Sequence, residues 1–362
     1  MELASSSWFP AIAGFMAGCV LGFAARRQHF CTMSALERHW YAGDSTGLRT
    51  WVLVATVALG LTQLAQFMGY ADTRSSFYLS SDLAWTGSIA GGLAFGLGMA
   101  LVGTCGLGAL VRLGGGSLRS LVVLLVLGLS ALTAQKGLIA QLRVELVDKL
   151  ALDLSFAGDQ SLGSIVSAIV GADVSAAVAL IAVAGLLWWV LRDPAYRRNI
   201  RAISTATIIG AVIAFGWIVT TLAAHHSFDP VQIEAGSFVV PVADTLMQVI
   251  TFTGVLPDYG VGLVVGVVVG AAVCAMRRRD VRWEACDDAR ELGRHLVGGF
   301  LMGVGGVFAM GCTIGQGVTA VSALAASAPI VMISIAVGAR MGLAYLIEGS
   351  PLAAFRSLAF RT

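Results

Sequence analysis

Nine stretches of roughly twenty mostly apolar residues, joined by short loops, leave this chain few ways to fold. They fall near 8–25, 48–70, 85–104, 117–139, 172–191, 203–224, 258–276, 295–311 and 328–347. A helix of about 20 apolar residues crosses a bilayer, and in lipid every backbone polar group must be paired within the protein. Only 12% of residues are charged, against about 25% in a soluble domain. The expected fold is therefore an all-α polytopic membrane protein with about nine transmembrane helices, forming a single integral membrane domain. Two shorter apolar segments, 29–41 and 239–253, are expected to be re-entrant or interfacial, and the mixed stretch 145–170 to lie along the surface. The first ten residues lack a basic region, so no cleaved signal is expected.

Lys and Arg set the orientation. After odd-numbered spans come Arg26, Arg27, Arg38 and Arg49, then Arg112 and Arg119, then Arg192, Arg197, Arg198 and Arg201. Arg277, Arg278, Arg279, Arg282, Arg290 and Arg294 follow span 7, and Arg356 and Arg361 follow span 9. These make 18 of the 23 basic residues, enough to place the N-terminus outside and the C-terminus in the cytoplasm. Loops after even-numbered spans hold only Arg74, Lys136, Arg143 and Lys149, among acids such as Asp148, Asp153, Asp159 and Asp229.

Spans 3 and 8 end in related sequences, Gly103-Thr104-Cys105-Gly106-Leu107-Gly108 and Met310-Gly311-Cys312-Thr313-Ile314-Gly315-Gln316-Gly317, at an offset of 207 residues. At that offset Gly91, Gly92, Gly96, Gly98 and Gly108 fall on Gly298, Gly299, Gly303, Gly305 and Gly315. The two spans run in opposite directions, so the repeat is inverted. It extends to 8–141 against 203–347, with span 172–191 as the link. Gly14, Gly18 and Gly22 also match Gly262, Gly266 and Gly270, but those spans both run inward. That likeness reads as shared small-residue packing, in which glycines four apart let helices approach closely.

Each repeat reads as a glycine-rich helix that stops at a thiol, followed by a short second helix. Unpaired N–H groups and the positive dipole end of such a helix form an anion site without a formal charge. Gly108, Gly315 and Gly317 permit tight backbone there. A thiol adds a weak donor and a soft surface. Cys105 and Cys312 are thus candidate pathway residues, with Thr104, Thr313 and Gln316 beside them. Cys31, preceded by His29, is a third candidate on the first re-entrant segment. Cys19, Cys274 and Cys286 read as packing or loop thiols, since buried cysteine otherwise behaves as a small apolar side chain. Gln63 and Gln66 are expected to bond neighbouring helices, and Arg340, within span 9, to pair with Glu348 or a carbonyl. The six cysteines form neither a disulfide framework nor a metal site. His225-His226 lack further ligands, and Gly114-Gly115-Gly116 is not a P-loop, so no metal, cofactor or ATP is expected.

These residues resemble the YeeE/YedE family of bacterial membrane proteins. The resemblance rests on Phe30-Cys31-Thr32, on Cys105-Gly-Leu-Gly with Arg112-Leu-Gly-Gly-Gly-Ser-Leu-Arg119, and on Gly311-Cys312-Thr-Ile-Gly-Gln-Gly317. It implies nine membrane helices plus short pore helices in an hourglass with pseudo-two-fold symmetry. It further implies import of thiosulfate across the inner membrane, without enzymatic change, relayed by Cys312, Cys105 and Cys31. Thr104 departs from the second repeat, which has glycine before the thiol, and is expected to tune pore width. A small cytoplasmic sulfur carrier of the TusA type is the implied partner. Selenium or other sulfur oxyanions are alternative substrates. A membrane sensor docking a regulator at 277–294 is an alternative function, and a thiol-disulfide enzyme a third.

Overall fold

A computed structural model describes residues 8–227, 231–252, 256–286 and 288–349. Asp229, Asp287, Arg356, Arg361, the first seven residues and the end of segment 239–253 lie outside these. The described residues are all-α apart from one two-residue antiparallel pair, β1 (Asp82–Leu83) with β2 (Leu152–Asp153).

The helices of the first half are α1 (Phe9–Arg27), α2 (Thr32–Glu37), α3 (Thr46–Phe67), α4 (Trp85–Val102), α5 (Gly106–Gly114) and α6 (Leu118–Lys136). A connecting region holds α7 (Leu138–Leu146), α8 (Leu162–Val170), α9 (Ser175–Leu191) and α10 (Pro194–Arg197). The second half comprises α11 (Ile200–His226), α12 (Val240–Ile250), α13 (Tyr259–Arg278), α14 (Ala289–Phe308) and α15 (Ser327–Glu348). Each of the nine expected spans is a helix. Among the described residues, seven helical stretches are long and apolar enough to cross a membrane, by length and composition alone. The other two differ for separate reasons. The apolar helix α9 has 17 residues. Helix α14 starts well before residue 295 because the Asp288 carboxylate accepts the Glu291 N–H and caps it. Its first turns therefore carry Arg290, Glu291 and Arg294. Segment 29–41 becomes α2 and a π-wound turn, Arg38–Ala42, while 239–253 becomes α12.

Glycine decides which helices meet. Helices α1 and α13 run parallel with backbones in contact. A Cβ placed on Gly14, Gly18 or Gly22 would stand 2.1–2.3 Å from the carbonyls of Tyr259, Leu263 and Val267. One on Gly262, Gly266 or Gly270 would stand 2.0–2.2 Å from those of Ala11, Phe15 and Cys19. The likeness of these two spans is thus mutual packing. Helices α4 and α14 cross antiparallel, with Gly91 against Gly305 and Gly98 against Gly298. Those contacts are reciprocal at the 207-residue offset, since each glycine meets the equivalent of its partner's contact.

The same exchange organises the rest. Swapping α1, α2, α3, α4 and α6 with α11, α12, α13, α14 and α15 carries the α1–α13 pair onto α11–α3. It also carries α4–α15 onto α14–α6, and α2–α3 onto α12–α13. Helix α9 packs on α3 at the periphery.

Arg340 departs from expectation. Its guanidinium lies 5.3 Å from the Trp40 ring and 4.8 Å from Tyr41. Aromatic faces on the π-wound turn after α2 thus replace the carboxylate or carbonyl as partners, a cation–π arrangement that suits a charge held out of water. Gln63 donates to the Ser322 carbonyl at 2.9 Å, as a cross-segment bond, whereas Gln66 accepts from Thr73 in the loop after its own helix.

Candidate functional site

The short helices explain where the thiols point. Helix α4 ends when Gly103 turns left-handed at φ +75°, a conformation glycine adopts without steric cost. The chain then extends through Cys105, and α5 starts at Gly106, with Cys105 as N-cap. Its carbonyl accepts the Ala109 N–H at 2.8 Å. In the other half Met310 (φ +56°) and Gly311 (φ +154°) break the chain after α14. The Cys312 carbonyl then accepts from the Gln316 N–H at 2.8 Å. A helical turn follows that widens to a π-helix at Gly315–Ala320. The Cys312 sulfur itself accepts the Gly315 N–H at 3.4 Å. Cys31 is the N-cap of α2, entered through His29 at φ +52°. Each of the three candidate cysteines therefore starts a short helix, where N–H groups lack intrahelical partners.

Tertiary packing then joins two of them. The Cys31 sulfur lies 3.7 Å from the Thr104 hydroxyl, and the Cys31 and Cys105 thiols adjoin. Gly108 faces the same point, because a Cβ there would stand 2.1 Å from Thr104 Oγ1 and 3.5 Å from Cys31 Sγ. Two cavities converge on this contact. One, of about 330 Å³, is bounded by His29, Cys31, Ser34 and Arg38. The other, of about 370 Å³, reaches Thr104 and carries five arginines against three carboxylates.

Cys312 stands apart from that pair. It is 1% exposed and Cys105 2%. Between them lies the extended segment before α12, with Ser237 and Phe238. The Phe238 carbonyl sits 2.8 Å from where a Gly106 Cβ would be, and Ser237 Oγ and Tyr78 Oη are each 3.0 Å from that of Gly315. Phe238 is fully buried, with its backbone packed on the start of α5 at Gly106.

Polar atoms around Cys312 are left over. Thr313 Oγ1 and Gln316 Oε1 are buried and have no hydrogen-bond partner among the described residues, and Tyr78 Oη stands with Ser237 Oγ against Gly315. Gln316 spends its amide N–H groups on the Ala309 and Met310 carbonyls at 2.9 and 3.2 Å. It thus closes the broken end of α14 and turns its oxygen elsewhere. Buried polar groups are normally paired, and leaving one unpaired costs about 1–3 kcal/mol. Two such atoms beside one thiol mark a place that a polar guest can complete.

Tyr78, Ser237, Phe238 and Trp51 were not among the residues expected from sequence. Trp51 donates to Thr32 at 3.1 Å and presses its ring on Gly317, tying the Cys31 element to the Cys312 helix. A tryptophan at the start of a span reads as an interface anchor, and only its burial reveals the bridge. Segment 231–239 carries no periodic signal at all.

Gly106→Ala tests the junction. Alanine alone would favour the helix, but its methyl would push on the Phe238 carbonyl. The expected result is a folded protein destabilised by an overpacking cost of about 1–3 kcal/mol. It is read as a lowered thermal midpoint in detergent.

A multi-pass helical membrane protein, broken at its centre where thiols cap short helices, is a transporter architecture. The chain belongs to the sulphur transport family, whose model matches residues 27–341. Among curated proteins it is similar to the thiosulfate transporter TsuA of Escherichia coli (strain K12), at 25% identity over 326 residues, covering 84% of this chain and 86% of that one. The thiosulfate transporter TsuA of Spirochaeta thermophila (strain ATCC 700085 / DSM 6578 / Z-1203) is 25% identical over 322 residues, covering 87% of this chain and 92% of its own.

Proposed function

We propose that this chain imports thiosulfate across a bacterial inner membrane, handing the anion from Cys312 to Cys105 to Cys31. The relatives' names support the substrate. The observation that carries the route is the set of unpartnered buried polar atoms beside Cys312, together with three thiols that each cap a short helix. Neutral S–H and O–H donors hold a dianion well enough to admit it and weakly enough to release it, which conduction requires. A lysine there would bind too firmly. Thr104, Gly108, Thr313, Gly315, Gln316 and His29 line the steps. No bond is made or broken in thiosulfate.

The basic loops give the direction, with the N-terminus periplasmic and the C-terminus cytoplasmic. The inverted halves, 8–141 and 203–347 with the linking span 172–191, supply one thiol-capped break each. Cys31 is extra to the first half, and Ser237 occupies the corresponding place beside Gly315 in the second. A TusA-like sulfur carrier on the cytoplasmic side would take the imported sulfur onward.

Purified protein in liposomes should accumulate labelled thiosulfate, with unlabelled thiosulfate competing better than sulfate. Selenium-containing analogues in the same competition series report the alternative substrates. Binding without accumulation would instead support a sensor and sink the transport reading.

A further inference from the structure

The five-arginine cavity adjoins the thiol path at Thr104. Its charges are unevenly matched. Arg26 pairs with Asp280 at 3.3 Å. Arg119 pairs with Glu284 at 2.9 Å and Glu291 at 2.7 Å. Arg112, Arg282 and Arg294 enter no ion pair among the described residues. Five guanidinium groups against three carboxylates leave two positive charges on the wall, the complement of a dianion.

The cavity is also built. The Arg112 guanidinium donates to the Gly103 carbonyl at 3.0 Å, which fixes it at the break beside Thr104. Gly115 lies so close to the Arg26 guanidinium that a Cβ would stand 2.0 Å from it. The stretch after α13 is stitched to the α5–α6 turn, with Arg282 N–H on the Gly115 carbonyl at 3.0 Å and Glu284 N–H on that of Gly116 at 3.3 Å. The Glu284 carbonyl accepts from Leu118 at 2.8 Å. Backbone bonds on both sides therefore hold the arginines around one space of about 370 Å³.

We infer that this cavity is a second anion site, which takes a tetrahedral sulfur oxyanion by charge and guanidinium hydrogen bonds rather than by thiols. It rests on the transport reading only for its role, as the place where the anion waits on the basic side before release. Its chemistry differs from that around Cys312. Guanidinium groups bind any oxyanion of this shape and charge, so sulfate competes here as well as thiosulfate does. Partly exposed charges are also screened by salt, so binding weakens as ionic strength rises.

Equilibrium dialysis of labelled thiosulfate against the full chain in neutral detergent tests this. The wild type is expected to bind two anions per chain, one of them displaced by sulfate and by added salt. Arg112→Gln combined with Arg294→Gln should weaken that one by about tenfold or more, the loss of a charge-assisted bond. Arg112→Lys with Arg294→Lys should retain it, which separates loss of charge from loss of fold. Cys312→Ala should remove the other anion and leave this one. That last arm keeps the two readings apart, since the transport route can fail while the arginine site stands. Wild-type binding in the Gln pair, or equal loss in the Gln and Lys pairs, overturns the proposal. So does displacement of the label by phosphatidylglycerol but not by sulfate, which would make a lipid headgroup the occupant.

Discussion

Replacing Cys312 with alanine is expected to reduce thiosulfate uptake by about 10- to 100-fold, and Cys105→Ala similarly. On the proposed route each change removes a donor to a dianion, and a hydrogen bond to a charged group contributes about 1.5–3 kcal/mol, or a factor of about 10–100. Alanine leaves the helix starts intact, because the capping bonds of both cysteines to Ala109 and Gln316 run through carbonyls. At Cys312 the sulfur also accepts the Gly315 N–H, so its loss is expected to be the larger of the two. Cys31→Ala should fall in the same range, since its thiol adjoins Thr104 and Cys105. Cys19→Ala and Cys274→Ala serve as controls. Cys19 presents its backbone to Gly270 of α13, and Cys274 is buried in the body of that helix. Uptake within twofold of wild type is expected for both. Full uptake by Cys105→Ala and Cys312→Ala would end the relay.

The second large effect concerns assembly. Gly266→Leu is expected to prevent recovery of monodisperse protein, because its Cβ alone would stand 2.2 Å from the Phe15 carbonyl and 3.0 Å from the Gly18 Cα. Neither neighbour is a side chain that can rotate away, so α1 and α13 must separate along their length. The cost exceeds the about 1–3 kcal/mol of ordinary overpacking. Without a hydrophobic force between helices in lipid, close backbone contact supplies much of the association. Gly185→Leu is the matched control. A Cβ at Gly185 meets nothing within 4 Å, and leaving glycine in a helix interior gains about 0.8–1.0 kcal/mol of propensity. Size-exclusion profiles and thermal unfolding in detergent should separate the two, and normal behaviour of Gly266→Leu would refute the packing argument.

Much of this was legible in residue order. The spans could be read because a charge in hydrocarbon is costly, so apolar runs and basic loops alternate. The helix breaks could be read because Gly103 and Gly311 stand directly before a polar pair ending or starting at cysteine. The glycine pairs could be read as close contacts, though not which pairs face each other. Gly14–Gly18–Gly22 matched Gly262–Gly266–Gly270 as sequence, and only the fold shows the two runs pressed together. Arg340 shows the limit from another side. A charge within a span was expected to seek a carboxylate or carbonyl, and it found two rings brought to it by the turn after α2.

Sequence by itself determined the membrane class, the helix count, the breaks and the thiols at them, because each is a local property of composition, period or backbone freedom. Tertiary structure alone decided that Cys31 meets Thr104 and Cys105, and that Ser237 and Phe238 pack on the helix starts at Gly315 and Gly106. It also decided that Thr313 and Gln316 keep unspent polar atoms beside the Cys312 thiol, and that five arginines share one cavity. Those facts join segments 70 to more than 200 residues apart. Their physical cause is how closely helices can approach at glycine, a quantity set by pairs of surfaces and carried by no single stretch of chain.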